Sequence, residues 1–280
     1  IIEFYKKTKK NWDKFSSVRS SNNNYDLKIE ELENKERLSW HLTESCEILQ
    51  HQDLKSLTED KKKFIMGVQL LEYVEKTTLF EVEYVNKVAN DLALSKFKFN
   101  LPDELKVDAF KIYTDEGYHA HFSKKMSNEI KSFYKIEDDL NPYINNFFQR
   151  IDGIGSKFDK KYKYLSELSS TIVSETTIVQ DMSEQMKGVV YAPIREMFKD
   201  HIIDETFHSN YFTTLIKILW PQMSIEEKEI MGFNLCESMV ILGKPRTDIF
   251  FYSLGRIGYD NSQISKFIDE VYNDPIKKIK

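Results

Sequence analysis

A chain of 280 residues, 41% hydrophobic and 30% charged, is long enough to bury a sizeable core and too apolar to be a disordered segment. Its formal net charge of −5 excludes an overall cationic field for nucleic acid, and no apolar run approaches membrane-spanning length. Cys46 and Cys236 are too few and too scattered for a disulfide framework, and no secretory h-region opens the chain, so the expected compartment is a reducing cytoplasm.

With only 9 Gly and 6 Pro, the chain has few breakers and suits long helices. A short leading helix gives way to a polar loop over residues 16–28, and a helix is expected from about Lys28 to Gln52. Thr58 and Asp60 supply N-cap chemistry for a long periodic stretch from Phe64 to Leu94. Asn100-Leu101-Pro102-Asp103 breaks the chain, and Asp103 can cap the following helix. Asn141-Pro142 starts another helix, which Gly153-x-Gly155-Ser156 ends or interrupts. The stretch from Lys157 to about Lys187 again reads helical, and Gly188 and Pro193 frame the start of the next helix. Trp220-Pro221 closes that one, and Ser224-Ile225-Glu226-Glu227 opens another with a capping-box pattern. One or two helices follow Gly243-Lys244-Pro245. No Pro/Ser-rich linker, internal repeat or alternating strand is evident. The expectation is a single all-α domain of about seven to nine helices.

Two strings carry the chemistry. Glu116-Gly117-Tyr118-His119 and His201-Ile202-Ile203-Asp204-Glu205-Thr206-Phe207-His208 each contain Glu-x-x-His, and the second adds a histidine one turn upstream. Positions i, i+3, i+4 and i+7 share one helix face, so each string points its carboxylate and imidazoles the same way. Ala109, Ile112 and Tyr113 share the inner stripe of Glu116 and His119, and Phe198, Ile202 and Phe212 flank the second set. A buried charge needs a partner, either an ion pair or a metal. The two strings together use three of the six histidines, which makes coincidence hard to defend. Two Glu-x-x-His helices plus one inward Glu from each of two others build a carboxylate-bridged two-metal site in a four-helix bundle.

For the two further carboxylates, Glu72, Glu75, Glu81 and Glu83 compete on the earlier stretch. Glu81 shares a face with Val74, Thr77, Thr78, Val85 and Val88, whereas Glu83 lines up with Lys76, Lys87 and Asn90; Glu81 is the choice. On the stretch from 157 to 187, Glu175 sits with Leu168, Thr171, Ile172, Ile178, Val179 and Met182, while Glu167 and Glu184 lie on the polar flank. Carboxylates with a few imidazoles suit iron, with manganese as the alternative. Asp115 and Asp204 are placed to accept the free N–H of a ligating imidazole or to serve as plain surface carboxylates.

The strings Thr114-Asp115-Glu116-Gly117-Tyr118-His119-Ala120 and His201-x3-Glu205-x2-His208, with single glutamates before each, resemble those of the p-aminobenzoate N-oxygenase-like di-iron oxygenases over roughly residues 64–245. The resemblance implies a ferritin-like four-helix bundle core with flanking helices: N-terminal helices over 1–60, the metal-bearing bundle over 61–220 and C-terminal helices over 221–280. It implies seven ligands, Glu81, Glu116, His119, Glu175, His201, Glu205 and His208, for two iron ions. It also implies that dioxygen, activated as a peroxo-diferric species, oxygenates a small amine to a hydroxylamine, nitroso or nitro product, with electrons from an external donor. A di-iron site acting on carbon, a ferroxidase and a metal-free helical interaction protein are the other readings. Tyr84, Tyr113, Tyr118, Tyr191, Arg195, Phe198 and Arg246 are candidates to shape a pocket or bind a carboxylate. The family resemblance, together with the excess of apolar residues near 210–240, favours a homodimer. No His-Glu-x-x-His string and no phosphate-binding Gly-rich loop is present.

Overall fold

The structure, a computed structural model, describes residues 1–20, 25–27 and 43–273. The chain enters through three short helices, α1 (Ile2–Thr8), α2 (Trp12–Phe15) and α3 (Ser17–Ser20). The polar loop expected over 16–28 is therefore helical at its start, where Ser16 and Ser17 are buried because carboxylates of the bundle accept their hydroxyl protons. Of the helix expected from Lys28 to Gln52, residues 28–42 lie outside the described residues. Thr43–Ser45 and Glu47–Gln50 are 3-10 turns rather than α-helix, and α4 (Gln52–Lys55) follows.

Helix α5 (Glu59–Phe80) leads into a π-helical turn at Glu81–Val85 and then α6 (Asn86–Ala93). The sequence periodicity suggests one uninterrupted helix here; the extra residue of the π turn falls on the glutamate chosen as inward-facing, as such turns often do at functional positions. Helix α7 (Asp103–Tyr134) begins after Pro102. Asp103 is its first residue rather than its cap, adding negative charge to the positive end of the helix dipole. Helix α8 (Asn141–Gly155) ends at the predicted glycines. A 3-10 turn at Lys160–Tyr162, capped by Asp159, delays α9 (Lys163–Met186) beyond the expected Lys157. Helix α10 (Ala192–Leu219) carries Pro193 in its first turn. Helix α11 (Ile225–Leu242) opens on the Ser224–Glu227 capping box, and α12 (Ile249–Arg256) and α13 (Asn261–Ile268) complete the described chain before a final π turn. Nine of these helices run eight residues or more, and no strand occurs among the described residues.

The long helices pair α5 with α7 and α9 with α10; α7 also meets α10, and the π turn touches both α7 and α9. This is a four-helix bundle with α11 laid against α8 and α9. Its apolar interior is divided. One cluster joins Leu71, Val74, Ile130, Met197 and Phe250; the other joins Leu92, Leu105, Leu168, Tyr211 and Phe212. Each fully buried aliphatic or aromatic side chain stabilises the fold by about 1.5–3 kcal/mol, so both clusters clamp the bundle firmly. On α7, α9 and α10, the residues between the two clusters are polar and equally buried: Glu116 and His119, Glu175, and His201, Glu205 and His208.

Candidate metal centre

Glu81, Glu116, His119, Glu175, His201, Glu205 and His208 come together in this gap, none more than 2% exposed. They form two overlapping groups able to hold an ion: Glu81, His119, His201 and Glu205, and Glu116, Glu175, Glu205 and His208. Glu205 belongs to both. In the first group, His201 Nε2 lies 3.0 Å from Glu205 Oε1 and 3.7 Å from Glu81 Oε1, and His119 Nδ1 lies 3.3 Å from Glu205 Oε1. In the second, His208 Nδ1 lies 2.9 Å from Glu116 Oε1, 3.4 Å from Glu175 Oε2 and 3.3 Å from Glu205 Oε2.

These contacts are close but poorly directed. Glu81 Oε2, Glu116 Oε1, Glu175 Oε2, both Glu205 oxygens, both His201 nitrogens and His208 Nδ1 are buried without a hydrogen-bond partner. An unsatisfied buried polar atom costs about 1–3 kcal/mol, so this many in one place need a common partner. Convergent carboxylate oxygens and imidazole nitrogens fit cations.

The electrostatics agree. Burial, reinforced by the charge of Glu116, raises the Glu81 carboxyl well above the ordinary range; burial with the charges of Glu205 and Glu116 does the same to Glu175. Burial and Glu205 push Glu116 up, but His208 and His119 outweigh them and hold it at about 2. Glu205 is likewise drawn well down, against burial, by His208, His119 and His201. Burial disfavours protonation of His119 and His208, yet Asp204 with Glu116 lifts the first and Glu205 with Glu116 lifts the second. His201 is lowered by burial and by His119. Protons thus hold the carboxylates together where cations would displace them.

Both aspartates face outward from this centre and orient its histidines crosswise. His119 Nε2–H donates to Asp204 Oδ2 at 3.0 Å, and His208 Nε2–H donates to Asp115 Oδ2 at 3.2 Å, which turns each Nδ1 toward the glutamates. The N-terminal segment then grips both aspartates. Trp12 Nε1 and Ser16 Oγ donate to Asp115 at 2.7 and 2.6 Å; the Ser17 amide donates to Asp204 at 3.0 Å and its hydroxyl donates to the same carboxylate. Sequence reasoning missed these three residues, because a short polar segment has no periodicity that ties it to helices a hundred residues away.

A cavity of about 700 Å³ opens onto Glu81 between α5, α9 and α10, walled by Tyr73, Thr77, Ile178, Met182 and Phe198. Of the pocket candidates, Phe198 and Arg246 line it. Tyr191 is core, Tyr118 packs edge-on against Phe122, and Tyr84 donates to Asp152 and stacks on Phe80. Arg195 is exposed, and so is Tyr113 at 47%, which removes Tyr113 from the inner stripe: the α7 side chains buried beside it are Ile112, Asp115 and Glu116.

An all-helical bundle with two overlapping carboxylate–imidazole groups in a buried gap has the architecture of ferritin-like dinuclear metal proteins. No helix is long and apolar enough to cross a membrane among the described residues. A family model described as p-aminobenzoate N-oxygenase AurF matches residues 14–264, and the chain belongs to this family of di-iron N-oxygenases, which are oxidoreductases. No individual curated protein matches the chain.

Proposed function

We propose that this protein uses dioxygen to oxygenate the nitrogen of a small amine, carrying it to the hydroxylamine and onward to nitroso or nitro products. The observation that carries this reading is the pair of overlapping buried groups that share Glu205. Glu81, His119 and His201 would hold one iron, Glu116, Glu175 and His208 the other, with Glu205 available to both; the donor set also accommodates manganese. The bound iron pair supplies the redox chemistry with dioxygen.

The chain's own residues do the rest. Asp115 and Asp204 keep the His208 and His119 rings turned toward the glutamates. The two apolar clusters exclude water from either end of the centre. Phe198, Ile178 and Tyr73 form the cavity wall along which an aromatic or aliphatic amine would approach Glu81. The reading includes an external electron donor and a cytoplasmic setting. It also includes a homodimer, supported by Ile225, Met239 and Val240, apolar residues exposed on α11.

The test loads the protein anaerobically with ferrous iron, counts bound iron, and then admits isotopically labelled dioxygen with an arylamine. Two irons per chain and label on the amine nitrogen are the expected result. Label on carbon would replace this reading with carbon oxidation, and a chain that takes up no iron would overturn it.

A further inference from the structure

The cavity beside Glu81 continues into a second lobe of about 350 Å³, and the two share Glu72, Lys76, Lys244 and Arg246. The inner lobe is largely apolar at the Glu81 end. The outer lobe is ringed by four cations from three elements: Lys76 on α5, Arg150 on α8, and Lys244 and Arg246 on the loop between α11 and α12. Two carboxylates, Glu72 and Asp248, stand against them, so the lining carries a formal charge of +2 (four minus two).

Those carboxylates neutralise part of the positive charge. Asp248 accepts a hydrogen bond from Asn146 Nδ2 at 2.7 Å, and Glu72 Oε2 makes a loose ion pair with Arg246 Nε at 3.8 Å. Lys76, Arg150 and Lys244 form no ion pair among the described residues. Lys76 Nζ instead sits 4.8 Å from the Phe147 ring, and the Arg246 guanidinium sits 5.2 Å from that of Tyr73. Burial and the nearby Arg246 bring the Lys76 ammonium down to about 7, despite Glu72 and Asp181. The excess positive charge around the void, carried chiefly by Arg150 and Lys244, is self-repelling, and a bound anion relieves that repulsion.

We propose that the outer lobe is a phosphate-binding subsite and that the amine substrate carries a phosphate group at the end remote from its nitrogen. This rests on the N-oxygenase reading for what happens at the Glu81 end. Phosphate carries about −1.5 to −2 near neutral pH and three acceptor oxygens, which matches both the charge and the donors of the lobe. Arg150 and Arg246 offer paired N–H groups, the lysines offer point charges, and Thr247 and Tyr143 add hydroxyls. A carboxylate, with one charge and two oxygens, would leave half of this lining unmet. The reach is suitable: Lys76 and Glu72 precede Glu81 by five and nine residues, roughly 8 and 14 Å along a helix axis, the span of an arylamine with a short phosphorylated arm.

The test titrates the metal-loaded full chain with phenyl phosphate and with benzoate, which differ in the anion alone, and counts metal on the same samples. The structure calls for one phenyl phosphate per chain, weakened about tenfold or more in Arg150→Gln and in the more exposed Lys244→Gln, with benzoate a poor competitor. Binding unchanged in both variants, or benzoate displacing phenyl phosphate at equal concentration, would overturn the assignment. Failure of the N-oxygenase reading shows separately, as absent metal in a chain that still binds phenyl phosphate.

Discussion

His119 and His208 stand in matching surroundings. Each lies three residues after a glutamate on its own helix, each donates to the aspartate that precedes the other helix's glutamate, and each aspartate is held by the N-terminal segment. The match breaks at His201, whose ring centroid lies 3.9 Å from that of His119 and which has no counterpart beside His208. The group facing the cavity therefore offers two imidazoles with Glu81 and Glu205, and the deeper group offers one imidazole with three glutamates. A near-symmetric support carries an asymmetric interior: the deeper group holds more carboxylates, while the cavity-side group holds more imidazoles.

The strongest way to break this comparison is at the residue both groups share. Glu205→Ala is expected to reduce bound metal to near zero, as read by metal analysis after gel filtration; retention of both ions would sink the shared-ligand assignment. Next, His201→Ala should weaken the cavity-side ion alone, so that limiting ferrous iron gives one ion per chain instead of two. Loss of both ions together would show that the groups do not load independently. Glu175→Leu should remove the deeper ion and, in the metal-free protein, raise stability by about 1–3 kcal/mol by deleting a buried carboxyl whose Oε2 has no hydrogen-bond partner, measured by denaturant unfolding.

Smaller effects sharpen the outer half of the comparison. Ser17→Ala loosens Asp204 behind His119, while Trp12→Phe loosens Asp115 behind His208. Metal release should accelerate about 10–100-fold in each, from the cavity-side ion in the first and the deeper ion in the second. Ser17→Thr should restore the first. Equal release from both sites in either variant would show that the segment acts only by stabilising the fold.

A control far from the centre has the smallest effect. Burial pushes the Glu227 carboxyl up, but Lys98, Tyr164 and the Ser224 cap outweigh it and hold it at about 2. Because the folded value lies below the unfolded one, about 4.3, this stabilisation is present above that pH and is lost as the pH falls from about 4.3 toward 2. Glu227→Gln should lose about 1 kcal/mol at neutral pH, flatten the acid limb of the melting curve and leave metal content unchanged.

The long helices and the residues at their gap were legible because a helix converts sequence spacing into a shared face. Glu116 with His119, and His201 with Glu205 and His208, needed only the period of 3.6. Glu81 and Glu175 were legible by their apolar neighbours, since a glutamate in an apolar stripe is buried with it. The same logic erred at Tyr113, where the stripe was drawn one residue too wide. It also could not see the π turn at Glu81, whose extra residue follows from packing against α7 and α9.

By itself, then, the sequence determined which side chains share a face on each helix, because that is a local consequence of backbone geometry. Only the tertiary structure decided which faces meet, that Glu205 belongs to two groups, and that Trp12, Ser16 and Ser17 close over Asp115 and Asp204. It alone gathered Lys76, Arg150, Lys244 and Arg246 around one void. Such contacts join residues up to about 190 positions apart, and their pairing depends on how whole helices pack, which no local spacing encodes.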